Sequence, residues 1–209
     1  MVDTLLALAG LIAGAPVIAA IAALVKLTSP GPIFFRQPRV GLGGSNIAVF
    51  KFRTMFNDAA GSPGVTPSGD KRVTPLGRLL RKAKLDELPQ LFNVLIGDLA
   101  LVGPRPELPK YMAALEDHQL SRILQVRPGI TSAATILFRN EEQILSTVPP
   151  GELENFYLSA LLPEKVQLEL DYAEHATFRT DLHVLLRTMI AIFRGSASYP
   201  QDISRRQSA

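Results

Sequence analysis

The sequence predicts an α/β protein of the mostly helical α+β kind, with a membrane-seeking helix at its N-terminus and one compact domain behind it. Three observations predict this. Residues 2 to 25 are almost wholly apolar, with Pro16 in the middle. Two short runs rich in β-branched and aromatic residues, at Ile33-Phe34-Phe35-Arg36 and Ile47-Ala48-Val49-Phe50-Lys51-Phe52, flank Gly41, Gly43 and Gly44. Apolar residues then recur at helical spacing through much of the remaining chain. At 209 residues there is room for an anchor (1–28), one domain (29–194) and a patternless tail (195–209) expected to be disordered.

A helix that crosses a bilayer needs about 20 apolar residues, and the run from Val2 to Val25 meets that length before Lys26 ends it. A cleaved signal peptide would begin with positive charge, whereas Asp3 is the only charge ahead of this run. Pro16 removes a backbone donor and clashes with the preceding turn, so it commonly kinks a helix. Periodicity leaves a straight span and a re-entrant helix equally open. Lys26, Arg36, Arg39, Lys51 and Arg53, following the run, place the body on the cytoplasmic side.

Beyond the breaker cluster Thr28-Ser29-Pro30-Gly31-Pro32, the two β runs and the glycines between them predict a hairpin. Strand alternation sends Lys51 and Arg53 to one face. Residues 57 to 75, rich in Gly, Ser, Pro and Thr, read as a mobile loop that could act as a lid. A helix is expected over 76–84 and another from Asp86, where Leu88, Leu91, Phe92 and Leu95 keep helical spacing until Gly97. Leu99-Ala100-Leu101-Val102 reads as a buried strand entering the turn Gly103-Pro104-Arg105-Pro106. Two helices fit 107–124, the loop Arg127-Pro128-Gly129 follows, and 163–176 is helical. On a last helix Phe178, Leu182, Leu185, Met189 and Phe193 form an apolar stripe. Core is its safer assignment, although Arg179, Arg187 and Arg194 would also suit a membrane face.

The chemistry concentrates at Leu85-Asp86-Glu87-Leu88-Pro89-Gln90. Arg72, Arg78, Arg81, Lys82 and Lys84 crowd in just before it, although the formal charge of the whole chain is only +3. Such a cluster attracts phosphates. Two adjacent carboxylates repel one another and are most comfortable beside a divalent cation or arginines. Asp86 at a helix start could simply cap free N–H groups, or could be an ionised nucleophile aimed at phosphorus, with Glu87 available for a metal ion or a proton. Arg105, fixed between two prolines, could fork onto phosphate oxygens or form a surface ion pair. The absence of cysteine excludes disulfides, thiolate chemistry and cysteine-based zinc sites, and the three histidines have no ligand spacing. Nucleic-acid binding fits poorly, because the basic stretch lacks interleaved aromatics.

Taken in order, Lys26 to Pro32, Phe35-Arg36-Gln37-Pro38-Arg39-Val40-Gly41, Phe50-Lys51-Phe52-Arg53-Thr54-Met55, Leu85 to Asn93, Gly97-Asp98-Leu99, Gly103-Pro104-Arg105-Pro106 and Arg127-Pro128-Gly129-Ile130-Thr131 resemble the bacterial sugar transferase family. These are the small monotopic phosphoglycosyl transferases that begin polysaccharide and glycoconjugate assembly. The resemblance is dense over residues 2 to 131. It implies transfer of a phosphosugar from a nucleotide sugar, usually a UDP sugar, to polyprenyl phosphate, with magnesium and release of the nucleoside monophosphate. Asp86 matches the family nucleophile and Glu87 its dyad partner, with a role in metal binding or proton handling, and either carboxylate could hold the metal. Lys51, Arg53 and Arg105 match positions for phosphates, and Arg81 and Arg127 complete the expected substrate-binding set. The resemblance also favours a re-entrant helix at the cytoplasmic face of the bacterial inner membrane, in contact with its lipids, with amphipathic helices at the interface.

The sequence departs from the family pattern in three places. Ala15-Pro16 stands where a Ser-Pro pair is usual, Ser132-Ala133-Ala134-Thr135 replaces a common Gly-Trp-Ala-Gln, and 136–162 is longer than in the smallest members. The minimal type of enzyme, without an N-terminal domain, is expected. A nucleotide-sugar hydrolase and an anionic-lipid-binding scaffold are the competing functions, and the last helix could pack in cis or across a homodimer.

Overall fold

The computed structural model describes residues 2–56 and 64–194, with side chains through residue 191. Helices dominate, and the only sheets among the described residues are two small two-stranded ones. Helix α1 (Val2–Thr28) carries Pro16 inside it. It is long and apolar enough to cross a membrane, at about 1.5 Å per residue. One stripe of it is used by the domain: Ala7, Ile21 and Val25 are buried, while Leu5, Ile12 and Leu27 are exposed. Gly10 lets it sit close to Leu91, where a Cβ would lie 3.3 Å from that side chain.

Both ends of α1 are tied to the same domain. Near the start, Asp3 Oδ2 accepts a hydrogen bond from the Leu101 amide at 3.3 Å. At the other end the buried Arg53 guanidinium donates to Ser29 O and Ser29 Oγ, each at 2.7 Å, and Ser29 Oγ donates back to Val25 O. Helix carbonyls that would otherwise be orphaned at the C-terminus thus gain partners.

Strands β1 (Phe34–Val40) and β2 (Asn46–Phe52) pair antiparallel, from Phe34 opposite Phe52 to Val40 opposite Asn46. The hairpin is as expected, but β1 runs on past Arg36 through Pro38, which a two-stranded ribbon tolerates because it has a free edge. Its 3-10 turn, Leu42–Gly44, places Gly43 and Gly44 at positive φ, 64° and 81°.

Helix α2 (Pro75–Ala83) starts with Thr74 Oγ1 accepting from the Gly77 amide at 2.9 Å. Gly77 is needed there, since a Cβ would lie 2.2 Å from Thr54 O. Lys84, at φ 57°, ends α2 and leads into a 3-10 turn, Leu85–Glu87. Helix α3 (Gln90–Ile96) begins only after Pro89. Asp86 therefore precedes the helix rather than capping it, and its Oδ1 is buried without a hydrogen-bond partner. Asn93, fully buried on α3, accepts from Phe50 N at 3.0 Å and donates to Ala48 O at 2.8 Å. That amide fastens α3, and with it the preceding turn, to β2.

Strand β3 (Ala100–Val102) pairs parallel with β4 (Gly129–Thr131), so the Arg127-Pro128-Gly129 loop opens directly into a strand. The backbones cross so closely that a Cβ on Gly103 would lie 2.3 Å from Arg127 O. Between them run the short helices α4 (Pro109–Met112) and α5 (Asp117–Ile123), both within the expected 107–124. Helix α6 (Ala133–Leu137) leads into the 136–162 segment, which holds α7 (Glu141–Leu145), α8 (Leu153–Phe156) and a π turn (Tyr157–Leu161). They close the largest core with α9 (Leu162–His175), around Tyr111, Tyr157, Leu161 and Val166.

Two further expectations change in the structure. Helix α10 (Phe178–Arg194) buries Val184 but exposes Phe178, Leu182, Leu186, Met189 and Ile190, so most of its apolar stripe is surface rather than core. With Phe92 and Ile96 on α3 and the outer face of α1, the described surface carries more large apolar groups than a water-facing domain needs. The described part of the 57–75 loop is tied down: Val65 and Val73 are buried, and Ser68 N donates to Glu142 O at 2.7 Å. Residues 57–63 of the expected lid, and the expected disordered tail, lie outside the described residues.

Candidate active site

A cavity of about 900 Å³ opens between the β1–β2 ribbon, the 64–72 segment, the Leu85–Glu87 turn, the loop after β3, and α6 and α7. Among the described residues that line it, ten are lysine or arginine and four are aspartate or glutamate. Such a wall suits a ligand with several negative charges.

Its centre is Glu87. One oxygen, Oε1, accepts from Lys51 Nζ at 2.8 Å and from Arg105 Nη2 at 3.0 Å. Strand alternation delivers Lys51 from β2, and the proline-flanked loop delivers Arg105. Burial pushes the Glu87 carboxyl up, but Lys51 and Arg105 outweigh it and hold it well below the usual carboxylate range. Glu87 is thus held ionised at neutral pH and clamps two cations. Asp86, 7% exposed, is affected in the opposite sense. Burial first and the Glu87 charge second raise its carboxyl, against Lys51, Lys84 and Arg81. The pair is therefore split into a tied carboxylate and a free one.

Arg81 lines the cavity, with Nε donating to Thr54 Oγ1 at 2.9 Å and Nη1 to Glu142 Oε1 at 3.0 Å. Arg53 also lines it, but one nitrogen is spent on the end of α1, while Nε and Nη1 are buried without a partner. Arg127 is not brought in. It is exposed and absent from the cavity wall, with Nη1 4.0 Å from where a Gly97 Cβ would be. Its segment serves through the backbone contact with Gly103.

The structure adds residues that motif reading missed. Glu107 Oε2 pairs with Arg39 Nη1 at 3.2 Å, and Glu107 Oε1 accepts from Lys165 Nζ at 3.1 Å and Tyr157 Oη at 2.9 Å. Lys165 reaches Glu141 Oε2 as well, at 3.0 Å. Glu107 directly follows the Pro-Arg-Pro turn, which was a usable signal. Nothing in the sequence singles out Lys165, which is contributed by a helix 58 positions further along.

Burial pushes the Glu107 carboxyl up, but Lys165, Arg39, Arg105 and the Tyr157 hydroxyl bring it down to about 2. A depressed carboxylate stabilises the fold fully above its unfolded value, 4.5, and loses that contribution as pH falls toward 2. Glu107→Gln is expected to cost about 3 kcal/mol at pH 7. In denaturant unfolding at several pH values, the gap from wild type should narrow below pH 4.5. An equal gap at pH 3 and pH 7 would show that Glu107 is not held by charge.

Asp86 and Glu87 also suit a divalent cation. Among the described residues no three His, Asp or Glu groups could hold a metal by themselves. Magnesium, however, is commonly held by one or two carboxylates together with substrate phosphates, and the unpartnered Asp86 Oδ1, within the fields of Lys51, Lys84 and Arg81, fits that role.

An apolar helix tied at both ends to one domain, and a carboxylate pair set among cations, define a membrane-associated protein built to handle phosphates. The comparisons with known proteins agree. The bacterial sugar transferase model matches residues 1–195, and the chain belongs to that family. It is 36% identical over 203 residues to a UDP-glucose:undecaprenyl-phosphate glucose-1-phosphate transferase of Xanthomonas campestris, covering 94% of this chain and 39% of that one. A protein of the same name from Caulobacter vibrioides is 38% identical over 193 residues, 88% of this chain and 66% of that one. A UDP-N-acetylgalactosamine-undecaprenyl-phosphate N-acetylgalactosaminephosphotransferase of Aeromonas hydrophila is 42% identical over 126 residues, 58% of this chain and 30% of that one. The chain thus spans about two fifths to two thirds of the length of the first two.

Proposed function

We propose that this protein transfers a sugar 1-phosphate from a UDP sugar to undecaprenyl or a similar polyprenyl phosphate, through a covalent aspartyl intermediate. The observation that carries the reading is the divided pair: Asp86, buried with a free oxygen, beside Glu87, which fixes Lys51 and Arg105 at the same point. Relatives named as undecaprenyl-phosphate sugar phosphotransferases supply the substrate classes.

In the first step an Asp86 carboxylate oxygen attacks the phosphorus that bears the sugar. The bond from that phosphorus to the bridging oxygen breaks, and UMP leaves with the electron pair. In the second, a phosphate oxygen of the polyprenyl phosphate attacks the same phosphorus and the Asp86 carboxylate leaves, giving polyprenyl diphosphate sugar. Lys51 and Arg105 neutralise the charge that grows on the phosphoryl oxygens and the departing UMP. Arg53 and Arg81 add positive charge along the wall. A magnesium ion held by Asp86 and Glu87 would screen the phosphates from the carboxylates.

The acceptor is a lipid, and the fold supports delivery from a membrane surface. Both ends of α1 contact the catalytic domain, through Asp3–Leu101 and Arg53–Ser29, which supports a helix that returns to the face it entered over a crossing that leaves one end on the far side. A helix entering and leaving by the cytoplasmic face of the inner membrane keeps both, with the exposed stripe of α10 lying at the interface.

The test is UMP release by the purified chain in nanodiscs, across UDP-glucose, UDP-galactose and their N-acetylated forms, with magnesium and with or without undecaprenyl phosphate. Turnover that requires the lipid is expected. Sustained release without lipid would replace transfer by hydrolysis, and no release with any donor would leave a lipid-binding scaffold.

A further inference from the structure

Arg105 lies in a turn whose carbonyls are held, Pro104 O by Gly129 N and Pro106 O by Arg39 Nη1, each at 2.9 Å, but which has few backbone donors of its own. Pro104 and Pro106 have no amide hydrogen, so between Gly103 and Glu107 the sole backbone donor is Arg105 N–H. That donor is taken by a residue 64 positions away: it bonds to Glu169 Oε1, on α9, at 3.2 Å. The same oxygen accepts from Ser132 Oγ at 2.7 Å, and that hydroxyl in turn caps α6 by accepting from Thr135 N at 3.0 Å. Glu169 is 5% exposed, its Oε2 has no partner, and it does not line the cavity. A buried acid of this kind is costly unless its contacts matter.

We propose that Glu169 is the positioning residue for Arg105: by holding the one free N–H of the Pro-Arg-Pro turn, it keeps the guanidinium on Glu87 at the cavity wall. The step from that contact to turnover rests on the transfer reading above. The groups facing Glu169 are the Arg105 amide, the Ser132 hydroxyl, Lys165 one turn earlier on α9, and Glu107. Burial pushes its carboxyl up to about 7, ahead of the opposing Ser132 and Arg105 hydrogen bonds. An ionised acceptor binds an N–H more strongly than a neutral one. The hold on Arg105 therefore tightens as pH rises through about 7 and slackens as it falls.

The experiment is amide hydrogen exchange across residues 103–108 of the full chain in nanodiscs, beside turnover of UDP-glucose with undecaprenyl phosphate. Glu169→Ala should speed Arg105 exchange at least about tenfold and lower turnover about tenfold to a hundredfold. In an Arg105→Ala background the same change should cost less than about twofold, because the group it positions is gone. Glu169→Gln, which keeps a carbonyl acceptor, should retain most turnover at pH 8 and lose part of the wild-type decline below pH 7. Unchanged Arg105 exchange in Glu169→Ala, or an undiminished loss in the Arg105→Ala background, would overturn the proposal. If Glu169→Ala does not fold, the Gln variant decides: an acid limb identical to wild type overturns it. Faster exchange in an enzyme that turns over no donor would sink the transfer reading and leave the contact standing.

Discussion

Asp86→Asn is expected to abolish transfer, by at least about a thousandfold, while leaving the protein as stable as wild type or more so. The two halves of this expectation come from the same geometry. An amide has no charge with which to attack phosphorus, so the covalent step is lost. The wild-type carboxylate is buried, has an oxygen without a partner, and sits beside an ionised Glu87. Each of those features costs folding free energy, and the neutral, equally sized amide relieves the charge terms. If Asp86 were merely a structural cap, the opposite pattern would follow: lower stability with turnover intact. Thermal unfolding and UMP release on one preparation separate the two. The raised carboxyl adds a pH test. In the proposed route the ionised form is the nucleophile, and its carboxyl is raised above the ordinary aspartate value, so turnover should start to fall on the acid side earlier than an exposed aspartate would dictate.

Local elements were legible wherever a short stretch of chain carries its own reason to fold. The hairpin at Gly41–Gly44, the cavity-facing Lys51 and the stop at Gly97 all follow from alternation, periodicity or a backbone turn. Asp86 looked like a helix cap because the run from Leu88 begins so near. Pro89 shifts the helix start to Gln90 and leaves Asp86 in a 3-10 turn, free of a capping role. The apolar stripe of α10 reads as core because periodicity reports which face is apolar and says nothing of what covers it; Phe178, Leu182 and Met189 are exposed. Arg127 was carried into the site by its motif, yet that motif's structural use is the glycine contact between β3 and β4. Lys165 and Glu169 were invisible for a plainer reason: their partners are 58 and 64 residues away, and no local pattern encodes such a meeting.

Arg105→Ala should lower kcat/KM about a hundredfold to a thousandfold, the usual loss when a donor aimed at developing charge is removed. Two effects add in the same direction. The fork proposed to meet the phosphoryl oxygens disappears, and Glu87 keeps only Lys51 as its hydrogen-bonded cation, so Lys51 is drawn toward the carboxylate and away from the proposed phosphate position. Arg105→Lys should recover only part of the loss. A lysine could still neutralise Glu87, but from one point, and it cannot serve the carboxylate and a phosphate with separate parallel N–H groups. The ordering wild type, then Lys, then Ala, in kcat/KM for the preferred UDP sugar, tests this directly. Equal activity for Lys and wild type would mean that Arg105 acts by charge alone, and the rigidity given to it by two prolines and by Glu169 would then have no catalytic purpose.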